Sequence, residues 1–568
     1  TVKKGAALQF SHSDKSATAY VREFIYIEGD GPSGAAYPGA IVRLGRVVYL
    51  GRVILTDDSS IGGNDMLHVN DNYSIDLAQH TLTVRKGMSF GGAGVLNPGK
   101  IVFAGGDVYL PTAASKFPDW AGQEIRFGSG VTIKCIVPQT EALGCTFVMD
   151  GNVTIDVPKD KGCTALALHD DIVLNNGATL TWNIQNLERV DMYGSISGEG
   201  SVVKSANASF PSALWLHGVN TYTGTTTIPK GGDMDVIVAM KPTSVPGWAD
   251  GRADRAFAEA GTGLGFGLAS ERNANGWSMT DINACLARAV GKNSRFYLAV
   301  DAGDTATVAG DLALSSPPSF GTIGGGTAKM TGLFGQNKPF YFFPFKDSDE
   351  LVVTRSAGDV RVNEPSTVKL YGGILRFKDA VNVNHYGLNN VFWVGEVAEC
   401  TPRVIFEGKT AYYNYYRMTI PEKQDCRGIV EVCDGAGVTN TCLYGNVQGG
   451  VGCTYQSGGT YVPADGSVFG NDVKAEGYLE VSGGATVFPG NAMFGQHGGA
   501  TAATANLSAG LLYQSGGTVR QTDNASAFHT VENDLAVLAL QRQGDAAGHG
   551  KADHRSEDHQ EAQPVRHI

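Results

Sequence analysis

Short runs of alternating apolar and polar residues, separated by glycine-rich turns, fill most of the chain. Val47-Val48-Tyr49-Leu50 and Val53-Ile54-Leu55 lead into the polar turn Thr56-Asp57-Asp58-Ser59-Ser60. Ile75-Asp76-Leu77 and Thr81-Leu82-Thr83-Val84 alternate in the same way, and Gly91, Gly92 and Gly94 mark the next corner. The pattern continues through Gly151-Asn152-Val153-Thr154-Ile155-Asp156-Val157 and Gly177-Ala178-Thr179-Leu180-Thr181-Trp182. A period of two marks strands with one buried face. Runs of about five residues cannot enclose a core alone, but they can stack, each covering the apolar face of the one before. An internal repeat supports stacking: Tyr455-Gln456-Ser457-Gly458-Gly459-Thr460 recurs as Tyr513-Gln514-Ser515-Gly516-Gly517-Thr518, with Val481-Ser482-Gly483-Gly484 between them. The equivalent serines are 25 and 33 positions apart, within the range of solenoid repeats. The expected fold is all-β, a single-stranded right-handed parallel β-helix (solenoid) with about 25 residues per rung.

Residues 236–350 depart from this rhythm. Ile282, Leu286 and Ala289 fall on one helical face, with Ser278 or Thr280 placed to cap it. The spacing predicts a short helix over roughly 280–290, on the flank of the solenoid. Alternation returns with Ser366-Thr367-Val368-Lys369-Leu370 and Ile374-Leu375-Arg376-Phe377. The chain therefore divides into N-terminal rungs (1–235), an irregular insertion on the same solenoid (236–350), C-terminal rungs (351–522) and a tail (523–568). The tail carries five of the twelve histidines and the mixed-charge run Lys551–His559. It is expected to be poorly ordered.

One stretch carries a resemblance. In Tyr193–Ile228, SGEGSVVK is followed by LWLHGVNTYTGTTTI. This is similar to the autotransporter-associated β-strand repeat of bacterial passenger domains. The rungs at 151–157 and 177–182 resemble that family's G-x-T-L-x-V units. Pro246-Gly247 and the W-x-x-x-D-I pattern from Trp277 to Ile282 resemble its spacer. The resemblance implies export and an extracellular or cell-surface location. It also implies a structural or adhesion role as a stalk, adhesin or matrix component, with surface glycans or other matrix components as partners. It specifies no activity, ligand or oligomeric state.

Composition narrows the alternatives. Of 568 residues 76 are glycine, 18% are charged and 42% are hydrophobic, which fits a turn-rich folded chain rather than a disordered one. A net charge of −12 without a basic patch speaks against nucleic acid as a partner. No apolar run approaches the roughly 18 residues of a spanning helix, so no membrane span is expected. The chain opens at Thr1 without a leader, so the exported reading treats it as a mature or trimmed product. The resemblance implies a C-terminal membrane barrel, and none is expected within these residues. The nine cysteines contain no CxxC. Cys135, Cys145 and Cys163, and the five from Cys400 to Cys453, admit two readings: disulfides between neighbouring rungs, or buried thiols acting as small core residues.

A β-helix is also a scaffold for polysaccharide-cleaving enzymes, which need paired carboxylates or a carboxylate-bound cation with a base. The acidic candidates are Asp57/Asp58, His169-Asp170-Asp171, Asp233/Asp235 and Asp347/Asp349/Glu350. Each lies in a turn-like stretch, where aspartate commonly caps backbone amides. Gly548-His549-Gly550 stands in the tail without accompanying carboxylates. Gly261–Gly267 lacks the spacing and the GK[ST] of a phosphate loop. No catalytic residues, metal ligands or cofactor site emerge, so a structural or adhesion role is preferred to a lyase or glycoside hydrolase. The remaining lead is aromatic. Phe340–Phe345 and Tyr412–Tyr416 are consecutive rings, of which alternate members must face outward. Tyr341, Phe343, Tyr413 and Tyr415 are the candidates for stacking on a glycan, flanking one lateral groove two or three rungs long.

Overall fold

The computed structural model describes residues 1–540, interrupted at 110–121, 135–141, 158–165, 247–255, 310–318, 332–339, 495–508 and shorter stretches. The chain winds as the expected parallel β-solenoid. Two sheets of 12 and 11 strands line its N-terminal part, running from Leu8–Ser11 to Ile196–Gly198 and from Thr18–Tyr20 to Ala256–Ala258. A 20-stranded sheet begins at Leu166–Leu168, and a 10-stranded sheet begins at Thr305–Val308. Adjacent strands pair in parallel register: Val153–Val157 lies on Leu180–Ile184, and Leu180 lies in turn on Val202. Parallel pairing keeps like positions in columns, so the alternation seen in the sequence becomes an apolar interior. In Thr179–Ile184, Leu180, Trp182 and Ile184 are buried while the residues between them are only partly covered. Phe103 stacks on Phe127 (centroids 5.4 Å, planes 14° apart), and Phe147 meets Phe127 edge-on at 5.7 Å. Each fully buried side chain of this size contributes about 1.5–3 kcal/mol over an exposed one.

The NTYTG segment is a structural clasp. Asn220 is buried, and its Oδ1 accepts from the Ile196 amide at 2.8 Å, one rung back. Its Nδ2 donates to the Ser244 carbonyl at 3.0 Å, one rung on. Tyr222 is enclosed in the core, with its hydroxyl on Thr226 Oγ1. The amides of Thr221 and Thr223 donate to Ile196 and Gly198 carbonyls. Gly198 adopts φ +100°, and a Cβ there would lie 2.3 Å from the Leu174 carbonyl oxygen. Only glycine fits this corner without moving the rung below.

Across residues 236–350 the 20-stranded sheet runs on through Asp235–Ala239, Gly263–Gly267, Arg295–Ala299, Ser319–Ile323 and Phe340–Phe342. The single α-helix of the described residues, α1 (Met279–Ala289), lies in the connection between Gly263–Gly267 and Arg295–Ala299. Ser278 is its cap. The Asp281 amide donates to Ser278 Oγ at 3.2 Å, and the Ser278 amide donates back to Asp281 Oδ2 at 3.3 Å, a reciprocal capping box. Ile282 and Cys285 face the core, and Trp277 anchors the approach through Nε1 to the Ala239 carbonyl at 2.8 Å.

One expectation is revised and one open alternative is decided in part. The ladder passes residue 522: Phe528–Thr530 pairs with Ala492–Phe494, and Leu535–Leu540 pairs with Ala509–Gln514. The apolar run LAVLAL carries the final described rung, although it lacks alternation; residues 541–568 lie outside the described ones. Of the cysteines that admitted two readings, Cys145, Cys433 and Cys453 follow the second: they are free thiols, and burial raises the thiol pKa of each. Cys135, Cys163 and Cys400 lie outside the described residues, as does the side chain of Cys442.

Candidate functional site

The acidic candidates serve the backbone or basic partners, each on its own rung. Asp57 accepts from the Asp58 amide and Asp58 from the Thr81 amide. Asp170 is buried on the Leu143 and Gly144 amides at 3.0 and 2.8 Å, while burial raises its pKa against those hydrogen bonds. Asp171 takes the amide and hydroxyl of Ser195. Asp349 accepts from the Gly325 amide at 2.6 Å, and Glu350 pairs with Arg376 at 2.7 Å. Asp235 is enclosed with Lys204; Asp233 and Asp347 lie outside the described residues. Among the described residues no group of three or more His, Cys, Asp or Glu is placed to hold a metal ion. No helix among them is long and apolar enough to cross a membrane.

In the two aromatic runs, alternation divides the one adjacent pair of rings whose side chains are both described, Tyr412 and Tyr413. Phe342 and Tyr412 lie in the core, where Tyr412 packs 4.8 Å from the Phe406 ring. Tyr413, between Tyr412 and Asn414, is 40% exposed. Tyr341 lies on strand Phe340–Phe342, but its side chain, like that of Tyr415, is outside the described residues, as is all of Phe343. Register separates the two runs. Tyr341 lies in a column that continues through Lys369, Trp393 and Thr419, three rungs on. Tyr413 belongs to the column of Asn384 and Thr439, on the far side of an irregularity between Asn414 and Met418. Tyr341 and Tyr413 therefore stand in different columns of the sheet, with that irregularity between them.

Larger outward aromatic surface lies where the sequence reading placed no site. Tyr20, Phe24, Tyr26 and Tyr37 are each between 40% and 61% exposed. Phe24 and Tyr26 alternate with the buried Ile25 and Ile27, so they share the outer face, about 7 Å apart by strand geometry. Arg52, from the next rung, holds its guanidinium 5.6 Å from the Phe24 ring centre and pairs with Asp76 at 3.4 Å. Tyr20 stacks on Tyr49 at 5.1 Å, and Tyr49 in turn meets His68.

A second outer-face ladder is formed by His169, Tyr193 and His217, which recur every 24 positions. His169 stacks on Tyr193 at 4.7 Å and Tyr193 on His217 at 4.3 Å. Beside it Arg189 lies 3.8 Å over the Trp215 ring and grips both oxygens of Asp191, at 2.8–2.9 Å. It also reaches Asp301 at 2.6 Å, while His217 Nε2 meets Asp191 Oδ1 at 2.7 Å. Burial works against the Asp191 charge, but the hydrogen bonds from His217 and Arg189 prevail and hold its carboxyl below the usual range. Burial, reinforced by the Asp191 charge, raises the Tyr193 phenol pKa. Both faces of Tyr193 are covered by imidazoles, so neither is left to stack on a ligand. The 24-residue recurrence was the signal that would have identified this ladder in the sequence.

The geometry defines a parallel β-solenoid with aromatic side chains arrayed along its outer faces. No family model, curated protein or solved structure matches the chain.

Proposed function

We propose that the chain is the rod of an exported bacterial surface protein, acting as a structural or adhesion element that binds extended glycans along its outer face. The observation that supports this best is the outward aromatic surface of the first turns, Tyr20, Phe24, Tyr26 and Tyr37, with Arg52 beside Phe24. Rings of this kind pack against the apolar faces of sugars, at about 1 kcal/mol each, so affinity grows by adding contacts along a chain. Tyr413 supplies a further exposed ring in the C-terminal half. The pairing of the acidic candidates within the fold favours binding over bond cleavage.

The test is retention on neutral and acidic polysaccharides in affinity electrophoresis. The wild type is expected to be retarded, and F24A/Y26A to lose about thirtyfold in affinity, since two rings at about 1 kcal/mol each remove about 2 kcal/mol and 1.4 kcal/mol corresponds to about tenfold. No retardation of the wild type, or unchanged retardation of the double variant, would refute the site. A polysaccharide-cleaving reading has one observation in its favour: His217 paired with Asp191 beside Tyr193 and Arg189, residue types suited to acid–base chemistry on an acidic sugar. Release of unsaturated or reducing ends from any of these polysaccharides, abolished in H217A, would establish that reading instead.

A further inference from the structure

One inward column of the solenoid reads Ile133, Ile155, Trp182 and then Lys204. A lysine thus occupies a core position, and it is fully enclosed. Its ammonium is in direct contact with the carboxyl of Asp235, which is equally enclosed. Ser212 Oγ lies 2.7 Å from Lys204 Nζ and 2.8 Å from Asp235 Oδ1, so one hydroxyl bridges both groups. The three residues come together where strands meet at a corner. Lys204 ends Ser201–Lys204, Ser212 opens Ser212–Leu216, and Asp235, the register partner of Ser212, opens Asp235–Ala239 one rung further on.

An ion pair in such a place is a poor source of stability, because desolvating two charges offsets most of their attraction. Burial lowers the Lys204 pKa, although Asp235 pulls the other way. Transfer of one proton from the ammonium to the carboxylate removes both charges and leaves an amine beside a carboxylic acid. Those are the reacting forms of an amide condensation. Held in contact, two such groups reach effective concentrations on the order of 10⁵ M or more.

We propose that Lys204 and Asp235 condense to an intramolecular isopeptide bond, a covalent tie between successive rungs. The Nζ lone pair attacks Asp235 Cγ, and the tetrahedral intermediate expels one carboxyl oxygen as water. That water carries the acid's hydrogen and one hydrogen from Nζ, which Ser212 Oγ relays to the departing oxygen. An Nζ–Cγ bond forms, one Cγ–O bond breaks, and nothing is oxidised or reduced. The enclosure that makes the ion pair costly also keeps out the water needed to reverse the step. The bond closes a loop of 31 positions and prevents these rungs from peeling apart.

The test is the intact mass of the denatured full-length chain, followed by peptide mapping. The wild type is expected one water lighter than its sequence mass, with a branched peptide joining residues 204 and 235. K204M and D235A are expected at their full sequence masses, and S212A to cross-link more slowly than the wild type. A wild-type chain at full sequence mass, with Lys204 and Asp235 on separate linear peptides after prolonged incubation, overturns the proposal. That measurement needs no variant to fold and no glycan to bind. Cross-linking of S212A at the wild-type rate would overturn the relay assigned to Ser212.

Discussion

Replacing Asp191 by asparagine probes the centre of the His169–Tyr193–His217 ladder. Asp191 uses both carboxyl oxygens on Arg189 and one on His217, and its side chain is only 13% exposed. Asparagine keeps the shape but turns one acceptor into a donor facing the Arg189 fork. Removing one partner of a buried pair costs about 3–5 kcal/mol. Arg189 is 31% exposed and keeps Asp301, so the expected loss is lower, about 2–4 kcal/mol. Because a solenoid opens locally, the measurement is hydrogen exchange at the amides of Val190, Met192, Leu214 and Leu216 rather than a global melt. The pH dependence has a definite sign. The folded-state pKa of Asp191 is depressed, so its contribution is complete above the unfolded value near 3.9 and fades as pH falls from there through the folded value. The gap between wild type and D191N should therefore be full at neutral pH and shrink below about pH 4. A change under about 0.5 kcal/mol at neutral pH, below the usual worth of a charged hydrogen bond, would refute the assignment, as would a gap unchanged at acid pH.

Two further outcomes concern the scaffold. F127A empties a site enclosed by Phe103 and Phe147 and should cost about 3–5 kcal/mol, with faster exchange confined to neighbouring rungs. Uniform destabilisation along the rod would contradict nearest-neighbour stacking. S278A removes the cap of α1 and should cost about 1 kcal/mol, raising exchange in the first turn of that helix alone.

Local sequence determined the secondary structure and the fold class. Alternation at Thr179–Ile184 is a strand because period two puts Leu180, Trp182 and Ile184 on one face. The helix was equally legible, since its apolar spacing lies within a dozen residues, while the choice of Ser278 over Thr280 as its cap came from the structure. The sequence could also state that alternate members of an aromatic run face outward, and Tyr412 and Tyr413 do divide that way. Register was different. Which residue lies above which depends on the length of every intervening turn, and those lengths vary. Pairing alone separated Tyr341 from Tyr413 and extended the ladder to Leu540, whereas the stack of Tyr193 between two histidines left a trace in their 24-residue recurrence. It also enclosed Lys204 with Asp235, 31 positions away, in a contact that neither residue's neighbours in sequence foretell. Side-chain alternation is written within a few residues, whereas a site on a solenoid is assembled from residues a full turn apart.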